Sequence, residues 1–86
     1  MSTKHVAIPI GALVEIIRRT VPAVRTGELM SSDSLTAIGV DSIGTLNIVM
    51  EASEAFGVDL EGLDTEYDAP TTIGDLRDFL ERLPPL

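Results

Sequence analysis

The sequence predicts an all-α fold, a small bundle of three to four helices with a long first loop. Apolar residues recur at helical spacing in three separate segments, and the connections between them are rich in Ser, Thr, Gly or acidic residues. Nothing reads as a strand pair or an internal repeat. A chain of 86 residues is one small domain.

Residues 1–9 contain Pro9, lack sustained periodicity and are expected to form a flexible leader, followed by a domain over 10–83 and a short C-terminal tail, 84–86. The first helix follows from Ile10, Leu13, Val14, Ile17 and Val21, which share one face opposite Glu15, Arg18 and Arg19. It ends near Pro22. A long connection then runs to Asp41, with Leu29, Leu35 and Ile38 placed to pin it to the core. Loops of this length in compact domains are usually functional or disordered.

The second helix spans Ser42 to Phe56, with Asp41 as its N-cap and Gly57 closing it. At 100° per residue, Thr45, Ile48, Val49, Ala52 and Phe56 form a core face. Ile43, Leu46 and Met50 form a second apolar stripe beside Asn47 and Glu54. An exposed strip rimmed by acids suggests docking, whereas a long loop lying over it would make it ordinary core. Residues 58–70 form an acidic connection with room for one short helical turn around Leu63 to Tyr67. Thr72 and Asp75 have capping-box-like spacing at the start of the last helix. Ile73, Leu76, Phe79, Leu80 and Leu83 form its apolar face, and Pro84-Pro85 stops it.

Composition excludes several functions. With no cysteine the chain has no disulfide, thiolate metal site or thiol chemistry of its own. No apolar run is long enough to span a membrane and no signal-peptide pattern opens the chain, so a cytoplasmic protein is expected. The net charge of -8 is unevenly placed: residues 31–76 hold ten acids and no Lys or Arg. Such a surface disfavours nucleic acid and anionic membrane and suits basic protein partners.

Candidate chemistry is sparse. The single histidine, His5, lies in the leader, so a catalytic triad is not expected. Asp64, Glu66, Asp68 and Asp75 match positions 1, 3, 5 and 12 of a calcium loop, but Ala69 replaces the turn glycine and Pro70 follows, so no metal site is assigned. Gly39-Val40-Asp41-Ser42-Ile43 is more informative, because it sets an exposed hydroxyl at a helix N-terminus. Unpaired N–H groups and the positive dipole end there accommodate a phosphate esterified nearby. Taken alone, Ser42 is also an ordinary residue for a first helical turn.

That string, continued by Thr45-Leu46-Asn47-Ile48-Val49-Met50-Glu51 and Phe56, resembles the G-x-D-S-[LI] signature of acyl carrier proteins and the helix after it. The resemblance covers roughly Ile10 to Leu83 and implies a bundle of the acyl-carrier-protein type, making 10–83 a carrier domain. It implies that Ser42, with Asp41 as its motif neighbour, receives 4'-phosphopantetheine from coenzyme A. It implies a carrier and not an enzyme, whose acyl cargo is held as a thioester on the arm's thiol. The expected partners are a phosphopantetheinyl transferase and acyl-loading, condensing and tailoring enzymes with basic docking surfaces, meeting Ile43, Leu46, Asn47, Met50, Glu51 and Glu54. A monomer is expected.

Fatty-acid carriers usually have acids where this chain has Gly44 and Asn47. The resemblance therefore points to polyketide or related fatty-acid-like biosynthesis, with a discrete carrier expected because Met1 begins the chain. A stand-alone peptidyl or aminoacyl carrier of nonribosomal peptide-type biosynthesis is the first alternative. An unmodified acidic helical adaptor is the second.

Overall fold

The computed structural model describes residues 6–60 and 69–86. Among these residues there are three helices and no strand, in the order α1 (Ile10–Thr20), α2 (Ser42–Phe56) and α3 (Ile73–Glu81). Helix α1 packs on both α2 and α3, and α2 touches α3. The all-α expectation holds; the short helical turn expected around Leu63 to Tyr67 lies outside the described residues.

Each helix buries one apolar stripe, and the three stripes meet in one core. The predicted face of α3 is buried in full: Ile73, Leu76, Phe79 and Leu80, with Leu83 just beyond the helix. In α1 the face is displaced from the expected one. Leu13 and Ile17 are buried as the spacing requires, but so is Ile16, while Ile10, Val14 and Val21 are only half-buried against the cluster. Helix α1 packs against both α2 and α3, so its apolar arc is wider than one stripe.

In α2, Ile48, Val49 and Ala52 are buried as expected, whereas Thr45 and Phe56 are half-buried. The helix is closed by Gly57 at φ 70°, a left-handed conformation that a Cβ would strain. The Ser53 hydroxyl donates to the Val58 carbonyl at 2.8 Å and fixes the exit.

The described residues flanking the helices are tied to the bundle. Ile8 is 2% exposed, and its backbone N–H donates to the Glu81 carboxylate at 2.8 Å. Ile8 is thus docked through one apolar side chain and one hydrogen bond to α3, while residues 1–5 of the expected leader lie outside the described residues. At the other end, Leu86 N–H donates to Gly57 and Asp59 N–H to Pro84, which straps the tail to the exit of α2.

The long connection is a packed segment. Val24, Leu29, Leu35, Ile38 and Val40 are all buried, two more than the three anchors expected. Arg18 donates to the carbonyls of Arg25 and Gly27, and Arg25 pairs with Asp33 at 3.0 Å. The Asp33 carboxylate also accepts from Met30 N–H at 2.7 Å. The loop then serves α3: the carbonyls of Asp33 and Ser31 accept from the N–H groups of Ile73 and Gly74, two donors that a helix start leaves without intrahelical partners. A Cβ on Gly74 would lie 3.1 Å from the Ser31 oxygen, so the glycine permits this approach.

Candidate functional site

The start of α2 is built by its neighbours. Gly39 sits at φ 100°, a conformation that side chains rarely adopt, and turns the chain toward the helix. Val40 is buried at 3% and anchors the turn to the core. Asp41 is extended, with φ -89° and ψ -175°, and its carboxylate accepts from Gly44 N–H at 2.7 Å, as an N-cap should. The Asp41 carbonyl accepts from both the backbone N–H and the hydroxyl of Thr45. Ser42 follows as the first helical residue and is exposed.

Gly44 is buried although no sequence pattern placed it in the core. A Cβ there would meet the Asp41 carboxylate at 3.2 Å and Val40 at 3.3 Å. This is a close approach of helix to loop, and an acidic side chain at 44 would be pressed against the capping carboxylate.

A cleft of about 270 Å³ opens beside Ser42. Its mouth carries Asp41, Ser42, Thr36 and Thr45, and its apolar walls are Leu35, Val40, Val49 and Phe79, with Leu46 at the edge. Sequence reasoning assigned Leu35, Thr45, Val49 and Phe79 to the core, so the cleft itself was missed. Only Thr45, a hydroxyl on an otherwise apolar face, hinted at it. A larger, more open depression over α3 is lined by Asp75, Asp78, Glu81 and Arg82 but does not reach Ser42. Size alone does not make it the site.

The second stripe of α2 is free of the loop. Ile43 is 70% exposed, Leu46 55% and Met50 53%, and Asn47, Glu51 and Glu54 are also exposed. These six residues lie on the outward side of the helix that begins with Ser42. The alternative in which the loop lies over them does not hold.

At α3 the expected cap forms. Thr72 Oγ1 accepts from Asp75 N–H at 3.0 Å, while the Asp75 carboxylate accepts from the Thr71 hydroxyl at 2.8 Å. The Thr71 hydroxyl bond is the main reason the Asp75 carboxyl titrates below its ordinary range. Of the calcium-loop positions, Asp64, Glu66 and Asp68 lie outside the described residues. Among the described residues no group of three metal-ligating side chains converges, and no helix is long and apolar enough to cross a membrane.

Residues 11–80 match the protein family described as phosphopantetheine attachment site. No match was found among curated proteins or among solved structures. Helical architecture and family match agree, and the chain belongs to the phosphopantetheine attachment-site family, the carrier domains to which 4'-phosphopantetheine is covalently bound.

Proposed function

We propose that Ser42 is the residue that carries the arm. The observation that carries this reading is an exposed hydroxyl on the first residue of α2, beside an apolar cleft with a polar mouth. The residues present fit the group. The helix N-terminus favours the negative charge of a phosphodiester, and Asp41 already satisfies Gly44 N–H without using Ser42. In the attachment, Ser42 Oγ forms a bond to the phosphorus of coenzyme A nearest the pantetheine and loses its proton to a base of the transferase. The pyrophosphate linkage breaks and the adenosine bisphosphate leaves. When bound, the group supplies the thiol that the chain lacks.

The chain then acts as a carrier and not as a catalyst, presenting acyl thioesters to enzymes that dock on Ile43, Leu46, Asn47, Met50, Glu51 and Glu54. The cleft walled by Leu35, Val40, Val49 and Phe79 is the place where an apolar cargo would shelter. The uncharged first turns of α2, with Gly44 and Asn47, favour a polyketide or related specialised pathway in the cytoplasm over general fatty-acid synthesis.

The test is intact mass after incubation with coenzyme A, magnesium and a broad-specificity phosphopantetheinyl transferase. The expected result is a gain of one phosphopantetheinyl group, absent in Ser42→Ala. An unchanged mass for folded wild-type protein overturns the assignment. Loading of the modified protein by acyl-transferring as opposed to adenylating enzymes then separates acyl from aminoacyl cargo.

A further inference from the structure

We infer that Arg18, on α1, is a positioning residue for Ser42, holding in place the segment 21–25 on which the turn leading to Ser42 is packed, an inference that rests on the assignment of Ser42. Arg18 is half-buried in the last turn of α1, away from the outward stripe of α2 and from the cleft. Its hold reaches the serine through the backbone.

Arg18 Nη1 donates to the Arg25 carbonyl at 3.1 Å, and Nη2 donates to the Gly27 carbonyl. A planar guanidinium fixes these donors in one fork, whereas a lysine ammonium at the same position is a single point of charge. The Arg25 N–H in turn donates to the Ile38 carbonyl at 2.8 Å. Arg25 is thus held by α1 on one side and holds the residue before Gly39 on the other. Ile38 belongs to a tight turn in which Gly39 N–H donates to Thr36 and Val40 N–H to Leu35, at 3.1 and 2.9 Å. A shift of Ile38 therefore carries Gly39 and Val40 with it, and these lead directly into the Asp41 cap.

The segment also supports the turn sterically. A Cβ on Gly39 would stand 3.5 Å from the Ala23 carbonyl oxygen and 3.9 Å from the Val24 Cα, and one on Gly44 would stand 3.4 Å from a Val21 methyl. The backbone before Ser42 and the backbone after it both rest on 21–25. Between Pro22 and Gly27 only Val24 is buried, and the Arg25–Asp33 pair leaves the Arg25 side chain 48% exposed. An exposed pair of that kind contributes little. Beyond Val24, the fork of Arg18 is the main side-chain hold on the segment.

Arm attachment needs Ser42 Oγ in line with the phosphorus of coenzyme A, and such alignment is sensitive to small displacements. Loosening 21–25 leaves the body of α2 where Ile48, Val49 and Ala52 fix it in the core and disturbs only the turn. The signature is a fall in kcat at unchanged KM.

The experiment measures kcat and KM for arm attachment by the broad-specificity transferase with coenzyme A, and backbone amide hydrogen exchange of each unmodified protein. Arg18→Met keeps the apolar stem and removes both donors, Arg18→Lys keeps the charge without the fork, and Arg19→Met removes an exposed charge from the same turn of α1. Arg18→Met is expected to lose about three- to tenfold in kcat, the scale of one or two hydrogen bonds, with KM for the carrier within about twofold of wild type. The N–H groups of Gly39, Val40 and Gly44 should exchange faster, while that of Ala52 in the α2 core should not. Arg18→Lys should behave more like Arg18→Met than like wild type, and it carries the test alone if Arg18→Met melts too low to assay. Arg19→Met should match wild type. Wild-type kcat in both Arg18 variants, wild-type behaviour of Arg18→Lys, an equal loss in Arg19→Met, or a lower Tm with exchange in the turn unchanged each overturns the inference and leaves Ser42 as the attachment site. The exchange measurement needs no arm attachment, so the two failures are distinct: wild-type protein that is never modified overturns the assignment of Ser42 and, with it, the positioning role.

Discussion

Replacing Asp41 by alanine tests whether the cap, and not the serine, holds the start of α2 in place. The Asp41 carboxylate accepts from Gly44 N–H at 2.7 Å and is the side-chain cap of a fifteen-residue helix. Losing an N-cap of this kind costs about 1 kcal/mol, within a range of roughly 0.5–2. In a domain of this size each kcal/mol lowers Tm by about 4–8 °C. Asp41→Asn keeps an oxygen acceptor but removes the charge, so it should lose at most the helix-dipole contribution, roughly 0.3–1 kcal/mol. Thermal and urea melts of the three proteins measure the difference. Fraying of the first turn should also slow arm attachment to Ser42 in the alanine variant more than in the asparagine one. Equal stability of wild type and Asp41→Ala would refute the capping argument, and equal loss in both variants would assign the effect to charge and not to the hydrogen bond.

Ser42→Ala should melt within about 0.5 kcal/mol of wild type, because the side chain is exposed; collapse would reveal a structural role for it. Gly39→Ala should destabilise by about 1–2 kcal/mol in urea melts, since an L side chain is strained at φ 100°. An unchanged midpoint would show that the turn can relax to another conformation. For Asp75, whose folded carboxyl titrates below its unfolded value, the stabilising contribution is complete above about pH 4 and is lost as pH falls through the lower folded pKa. Thr71→Val removes the main cause, so its stability should depend less steeply on pH in that acid range; an unaltered slope would place the effect elsewhere.

Local signals were legible in the sequence and long-range ones were not. Asp41 as N-cap, Gly57 as the close of α2 and the whole apolar face of α3 follow from residue type and spacing, and the structure bears them out. Ile8, Ile16 and Val24 were not legible as core, because they fall outside the helical stripe that spacing defines, and Ile8 is held by Glu81, distant in the chain. The capping of α3 by loop carbonyls was equally hidden. Backbone carbonyls of Ser31 and Asp33 leave no mark on residue identity, and only Gly74, which lets Ser31 approach, carries a trace of it. At the site the motif pointed to Ser42 and the stripe to Ile43, Leu46 and Met50. The cleft stayed invisible because Leu35, Val49 and Phe79 read as core whether or not space is left between them.

The stability of the region around Ser42 does not depend on Ser42 itself. Asp41 makes the cap, Val40 the core anchor, Gly39 the turn, Gly44 the close packing and Thr45 the bond back to the Asp41 carbonyl. These five neighbours each have a structural task, and the serine stands among them on the exposed side of the turn. Under the proposed attachment, a residue that changes its chemistry must be held in position without being used to hold, since otherwise modification would cost the fold. The same separation holds along α2, where the core is made by Ile48, Val49 and Ala52 and the outward stripe, proposed above for docking, contributes little to folding. Ile43, Leu46 and Met50 are exposed apolar surface, and under the proposed docking their hydrophobic gain becomes available when a partner covers them.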